Sequence, residues 1–333
     1  MSDRTTGAFG SFDAQRPPAA SELADCVHCG FCLPSCPTYG LWAEEMDSPR
    51  GRIDLVKGVL EGSLDMSTSF VAHMDACLGC MACVQACPSG VRYDHILQAA
   101  RAQIERRVRR PLADRAFRAA VFMVFPHPHR MRAAAVGAWA YRRSGLAGAL
   151  RRHGATERLP PRLAAIEALA PDVRITDLFR RLPVATRAQG RRRRRVGLLS
   201  GCVAQVYFSD VHAATIRALA AEGCEVLVPR GQGCCGALAV HAGREAQAMA
   251  AARATVDAWE GTGIDTLVTN AAGCGSSLKE HGALLADDPA YAARAAALSA
   301  KVMDVTELLA SLPRQAPRHE LALRVAYHDA CHL

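Results

Sequence analysis

No apolar run in the 333-residue chain is long enough to cross a bilayer, which takes ~20 residues. The N-terminus, MSDRTTGAFGSFDAQ, lacks the apolar stretch of a signal peptide. Both absences predict a cytoplasmic chain. Aromatic residues are scarce at 5%, beside abundant Ala and Arg, a compositional bias that points to no function. Half the residues are apolar and 22% are charged, an ordinary globular balance, and the length suits about two domains. Cysteine is not scarce: there are 14. In a short secreted chain that number would suggest a disulfide framework. In a long chain with no export signal, metal ligation is the better reading.

Eight of those cysteines fall in two runs, CVHCGFCLPSCP from Cys26 to Pro37 and CLGCMACVQACP from Cys77 to Pro88. Each is C-x2-C-x2-C-x3-C-P. Three cysteines spaced by two wrap one face of an iron-sulfur cubane, and in two-cluster ferredoxins the fourth cysteine of each run ligates the other cluster. The spacing therefore assigns Cys26, Cys29, Cys32 and Cys87 to one [4Fe-4S] cluster, and Cys77, Cys80, Cys83 and Cys36 to the second. Pro37 and Pro88 are expected to fix the backbone after the last ligand and stop a helix there. Gly30 and Gly79 leave room for backbone close to the inorganic core. The competing reading is a pair of zinc sites, but those usually separate two C-x2-C pairs by about a dozen residues or more. His28 and His73 read as neighbours of the loops rather than ligands.

Between the runs, Ser48 and Pro49 form an N-cap and first-turn pair, and Ile53, Val56, Val59 and Leu60 make a helical apolar stripe. This predicts the helical spacer of an α-helical ferredoxin domain. Arg50 and Arg52 are read either as partners of the clusters or as solvated first-turn charges.

Lysine is absent from Arg101 to Arg195, where 24 Arg face six acids. Seven prolines interrupt short helical patterns there, and the segment ends in RRRRR, Arg191 to Arg195. It reads as a basic connector and linker whose final run solvates a domain boundary. No helix-turn-helix, zinc-finger or RRM pattern accompanies the charge, so nucleic acid is not an expected partner. An anionic membrane surface suits the mixed Phe, Trp and Arg pattern around Trp139 better.

Beyond the linker, strand and helix patterns alternate: VGLLSGC, SDVHAATIRALAAEG closed by Gly223, CEVLVP, a helix over about 244–260, IDTLVTN, SSLKEHGALL, a helix ending near Leu309, and LRVAYHD. Alternation predicts an α/β parallel sheet with ligands at the strands' carboxyl ends. Cys202, Cys234, Cys235 and Cys274 all fall on such loops, which suggests a metal cluster with these four ligands. Reduced buried cysteines without metal are the alternative. GQGCCG, Gly231 to Gly236, matches the dinucleotide pattern G-x-G-x-x-G, but Pro229 and Arg230 separate it from its strand and cysteines fill its variable positions. Cys224 reads as a core residue. Cys331 follows a strand pattern as Cys202 does and reads as the opening of a second unit.

The expected architecture is thus α+β and multidomain: 1–110 an α-helical ferredoxin domain, 111–195 the basic connector, 196–322 a cysteine-rich α/β domain, and 323–333 the start of a second, truncated copy. The runs CVHCGFC and SCPTY, the helix start SPRGRI, CPSGVRY, GCCGAL and AAGCGSSLKEHG together resemble the iron-sulfur subunit family of bacterial glycolate oxidase, along the whole chain. Cysteine-rich CCG domains also occur in lactate-utilisation proteins, anaerobic glycerol-3-phosphate dehydrogenase and heterodisulfide reductase. The resemblance implies an electron relay in which an FAD subunit oxidises glycolate to glyoxylate and this subunit passes electrons to a quinone-type acceptor, peripherally on the inner face of the membrane. It matches the eight motif cysteines to cluster ligands, and Cys202, Cys234, Cys235 and Cys274 to the first CCG repeat. Two departures stand out. The third CCG position holds only Cys274 where many repeats hold C-x2-C, so a five-cysteine noncubane site is not expected. A second repeat beyond Cys331 is missing.

Overall fold

The computed structural model describes residues 10–154, 158–171, 174–320, 322–327, 330 and 332. Six helices carry the two cysteine runs: α1 (Ala20–Ala24), α2 (Pro37–Trp42), α3 (Pro49–Leu60), α4 (Thr68–Ala76), α5 (Ala82–Gln85) and α6 (Tyr93–Arg107). The basic segment forms α7 (Leu112–Val124), α8 (Pro128–Arg143), α9 (Leu146–Arg152), α10 (Pro161–Leu169) and α11 (Ile175–Leu178). Next come β1 (Ala185–Thr186), β2 (Arg194–Leu198), α12 (Val203–Tyr207), α13 (Ser209–Ala221), β3 (Cys224–Leu227), α14 (Ala237–His241) and α15 (Glu245–Trp259). The last elements are β4 (Thr266–Thr269), α16 (Ala272–Lys279), α17 (His281–Leu284), α18 (Ala292–Ser299), β5 (Val302–Asp304) and α19 (Val305–Ser311). They divide into two units: 1–110 with 236–249 and 327–333, and 111–235 with 250–326.

In the first unit, α3 starts as its sequence predicts. The Ser48 hydroxyl caps it by accepting from the Gly51 N–H, and Pro49 fills the first turn. Its stripe of Ile53, Val56 and Val59 is buried against Phe70 and Met74 of α4 and Ile96, Leu97 and Ile104 of α6. Gly51 is required by close approach, because a Cβ there would stand 1.9 Å from the Glu45 carbonyl oxygen. Pro37 corrects an expectation. It opens α2, with Cys36 as N-cap, rather than stopping a helix, since a first-turn residue needs no N–H donor. Pro88 does follow the end of α5.

The second unit is built on a five-stranded sheet of order β1-β3-β2-β4-β5. Four strands are parallel, with Val196 opposite Val226, Gly197 opposite Leu267 and Val268 opposite Met303. The sheet is mixed rather than wholly parallel, because β1 runs antiparallel along β3, Ala185 opposite Leu227. The predicted strand LRVAYHD is not among the strands. Its described residues, 323–327, are irregular, and Leu323, Val325 and Tyr327 are exposed. An alternating apolar pattern becomes a strand only when a neighbouring strand pairs with it, and no described strand does so here. Cys331 lies outside the described residues.

The basic segment is helical, as the connector reading expected, and packs within its own unit. Met131 and Ala135 of α8, Leu178 of α11 and Val206 of α12 share one buried cluster, and residues 111–195 belong to the sheet's unit. The arginine run also does more than solvate a boundary: Arg194 and Arg195 are the first residues of β2, and Arg192 and Arg195 pair with Glu225. Gly223 ends α13 in the left-handed conformation at φ 83°, as its position predicted. No described helix is long and apolar enough to cross a membrane.

Candidate metal centres

The two cysteine runs adopt one backbone design. His28 and Gly79 occupy equivalent places between the first two cysteines, at φ 56° and 64°. Gly30 and Met81 follow the second cysteine, at φ 86° and 58°. Each loop thus makes two left-handed turns with one glycine and one strained side-chain residue. Such turns point backbone N–H groups inward, making a concavity suited to an anion. The Gly79 N–H reaches the Cys77 Sγ at 3.4 Å.

These loops frame two voids. Cys26, Cys29, Cys32 and Cys87 line the first, and Cys36, Cys77, Cys80 and Cys83 line the second, with Cys83 also bordering the first. The last cysteine of each run therefore sits with the first three of the other. Burial pushes the Cys26, Cys32 and Cys83 thiols above their ordinary range, and Cys87 adds to the effect at Cys26. Sulfurs so placed need a compensating cation to ionise.

Several neighbours brace these loops. Arg52, 1% exposed, donates from Nη2 to Asp47 Oδ1 at 2.9 Å and from Nη1 to the Thr38 hydroxyl at 3.1 Å, and its Nε donates to the His73 carbonyl at 2.7 Å. Thr38 Oγ1 lies 3.2 Å from Cys36 Sγ, so the guanidinium braces the wall of the second void. Reading Arg52 as a solvated charge is therefore wrong. Arg50 ties Glu45 to the first loop, donating from Nη1 to the His28 carbonyl at 2.9 Å. His73 meets Asp47 at 3.0 Å and His28 meets Asp54 at 3.4 Å. Arg101 donates to the carbonyls of Met74 and Cys77 and to that of His241, whose ring packs over Gly79. The buried Tyr93 hydroxyl donates to Cys77 Sγ at 3.6 Å. Arg50, Arg52, His28 and His73 are marked in the sequence by their place beside the runs, whereas Asp47 and Arg101 carry no such cue.

The third cysteine group lies at the carboxyl ends of β2, β3 and β4, adjacent strands in the sheet. After β3 the chain crosses β2 to form β4, so this is where the strand order reverses and ligand sites form. Cys202 Sγ lies 3.5 Å from Cys234 Sγ. Cys235 hydrogen-bonds Cys234 and Cys274, which lowers the Cys274 pKa while Cys202 and Cys235 are pushed up by their thiol neighbours and burial. Gln232 fixes this loop: its Oε1 accepts from the Ser200 N–H at 3.0 Å, and its Nε2 donates to the carbonyls of Leu198 and Pro229. His212 bridges the Ser200 carbonyl and Asn270, and His281 meets the Cys235 carbonyl at 2.9 Å. Cys224 is fully buried in β3, as expected of a core residue.

The donor set discriminates between metals. A tetrahedral zinc site with Zn–S of about 2.3 Å holds its sulfurs about 3.8 Å apart. At the third group Cys202 Sγ and Cys234 Sγ stand 3.5 Å apart, so spacing does not separate zinc from iron there. At the two voids the donors are all sulfur, and the doubled C-x2-C-x2-C-x3-C run with its fourth cysteines exchanged is the iron-sulfur pattern.

Comparison with known proteins agrees along the chain. A family model for a 4Fe-4S dicluster domain matches residues 22–91, one for the linker region of the glycolate oxidase iron-sulfur subunit matches 113–170, and one for a cysteine-rich domain matches 196–279. The probable glycolate oxidase iron-sulfur subunit of Bacillus subtilis is 39% identical over 94% of this chain and 71% of its own length. The glycolate oxidase iron-sulfur subunit of Escherichia coli is 36% identical over 96% of this chain and 74% of its own. Lactate utilization protein A of Bacillus licheniformis is 29% identical over 42% of this chain and 58% of its own. No solved structure matches. With identities of this level along nearly its whole length, the chain belongs to the glycolate oxidase iron-sulfur subunit family.

Proposed function

We propose that this chain is the electron-relay subunit of a glycolate-oxidising complex. It would take electrons from an FAD-containing subunit and deliver them to a quinone-type acceptor at the inner face of the membrane. Cys26, Cys29, Cys32 and Cys87 hold one [4Fe-4S] cluster, and Cys36, Cys77, Cys80 and Cys83 hold the other. The observation that carries this reading is the sorting of eight sulfurs into two voids with the fourth cysteines exchanged. When bound, such clusters supply one-electron redox chemistry. The chain's part is to orient the thiolates, shield them from water with Ile53 and Tyr93, and offset their negative charge with left-handed N–H groups and with Arg101 and Arg52. Cys202, Cys234, Cys235 and Cys274 hold a third iron-sulfur group. The working division is 1–110 for the clusters, 111–195 for attachment, 196–322 for the third group, and 323–333 as the start of a further repeat.

Metal content tests the reading. Anaerobically purified protein should hold about eight irons and eight acid-labile sulfides, rising to about twelve of each with the third group. Stoichiometric zinc without sulfide would overturn it.

A further inference from the structure

The two cysteine voids rest on loops of one backbone design, and both loops offer backbone donors to sulfur. At the first, the His28 N–H donates to Cys26 Sγ and the Arg50 N–H to Cys32 Sγ. At the second, the Gly79 N–H donates to Cys77 Sγ at 3.4 Å. Side chains are what separate them. The Tyr93 ring borders both voids, yet its hydroxyl donates to Cys77 Sγ at 3.6 Å, within the reach of the larger sulfur atom. Thr38 Oγ1 stands 3.2 Å from Cys36 Sγ. Among the described residues no side-chain hydroxyl bonds the sulfur of Cys26, Cys29, Cys32 or Cys87.

The direction of the Thr38 bond follows from its surroundings. Its oxygen accepts from Arg52 Nη1 at 3.1 Å, and its hydrogen has two acceptors in reach, the Asp47 carbonyl at 2.8 Å and the Cys36 sulfur. That carbonyl also accepts from Arg52 Nη1 at 2.5 Å, so it stays satisfied when the hydrogen turns to sulfur. A thiolate has no hydrogen to give, and its charge makes it the stronger acceptor. Arg52, donating to the Thr38 oxygen from behind, polarises the hydroxyl toward the sulfur. Thr38 and Tyr93 are each 4% exposed, so water does not compete for either bond. Hydrogen bonds to ligating sulfurs set reduction potential, and donors raise it, because they stabilise the negative charge that an added electron places on sulfur.

We infer that Tyr93 and Thr38 set the reduction potential of the second site, their hydroxyls favouring its one-electron-reduced form through Cys77 and Cys36. The step concerned is the gain of one electron, supplied by the proposed flavoprotein, with no proton moved. The inference rests on the reading of both voids as [4Fe-4S] sites. It adds the means by which two equal sets of four sulfurs come to differ in potential.

The test is a redox titration of the cluster-loaded full chain followed by EPR, in which Cys80→Ser marks the signal that belongs to the second site. Tyr93→Phe removes one oxygen, whose partner among the described residues is the Cys77 sulfur. Thr38→Val removes the other hydroxyl. Each should lower the reduction constant of the second site about tenfold, about 59 mV for one electron, and leave the first site near its parental potential. Thr38→Ser, which keeps the hydroxyl, should hold the parental value. Ser35→Ala should move neither site, because that hydroxyl lines the same void without bonding a sulfur. A parental potential at the second site in Tyr93→Phe or Thr38→Val, an equal fall at both sites, or the same fall in Ser35→Ala or Thr38→Ser would overturn the assignment and leave the relay reading standing. Zinc without sulfide in the parent would overturn both.

Discussion

Burying the guanidinium of Arg52 is tolerable because every direction it points finds an acceptor: the Asp47 carboxylate and carbonyl, the Thr38 hydroxyl and the His73 carbonyl. Removing one member of such a buried pair leaves the other charged and unpaired, at a cost of about 3–5 kcal/mol. Arg52→Ala should therefore lower stability by about that amount and release iron from the loops on mild heating. Arg52→Met, which fills the space without the charge, should be no better, because Asp47 stays buried and loses its guanidinium partner, keeping the His73 ring at 3.0 Å. Thermal unfolding followed by absorbance of the bound cluster checks this, and a loss under about 1 kcal/mol would mean the network relaxes into solvent. Gly51→Ala belongs to the same test. A Cβ 1.9 Å from the Glu45 carbonyl forces α3 away from the turn before it, so destabilisation of about 1–3 kcal/mol is expected.

At the scale of elements, the paired loops make each cluster depend on both runs. Cys36 caps α2 in one run while its sulfur faces the void of the other. Cys36→Ser should disturb the EPR signal of the cluster held by Cys77, Cys80 and Cys83, and leave that of the Cys26 cluster near native. Disturbance of the Cys26 cluster alone would mean each run serves itself. Much of this level was legible in the sequence, because it rests on local signals: a repeated spacing, the Ser48–Pro49 helix start, the Gly223 stop and the apolar stripe of α3. What escaped was tertiary. The sequence shows Gln232 only as a filler between glycines, yet it ties the carboxyl end of β2 to the cysteine loop. His212 and His281 look like ordinary helix residues until the fold brings them to the third cysteine group. The strands β1 and β5 span two and three residues, too short for any periodicity to show. LRVAYHD has the right alternation but no described partner strand, and pairing is what turns a pattern into a strand.

For the whole molecule, the positions that carry the proposed chemistry are sulfurs grouped in three sites, and sulfur-ligated iron moves electrons without breaking substrate bonds. Removing hydrogen from an α-hydroxy acid needs a two-electron acceptor, which the proposed FAD partner supplies before the electrons divide into single steps. The cluster-loaded chain alone should therefore leave glycolate untouched. Mixed with its flavoprotein, it should bleach near the violet end of the visible spectrum when glycolate is added, and recover colour when a quinone analogue is supplied. Lactate and glycerol 3-phosphate, each with the flavoprotein that oxidises it, run beside this pair as controls, because a lactate-utilisation protein is 29% identical over 42% of this chain. If glycolate and its flavoprotein leave the clusters oxidised while another pair reduces them, the substrate assignment fails and the relay stays. If chemical reductants bleach the clusters but no flavoprotein does, the relay itself fails. The arginine-rich helices add a salt dependence: quinone reduction on anionic vesicles should slow as ionic strength shortens the Debye length from about 10 Å at 0.1 M to about 3 Å at 1 M. Cluster reduction by the flavoprotein in solution should respond less, because it does not require the vesicle surface.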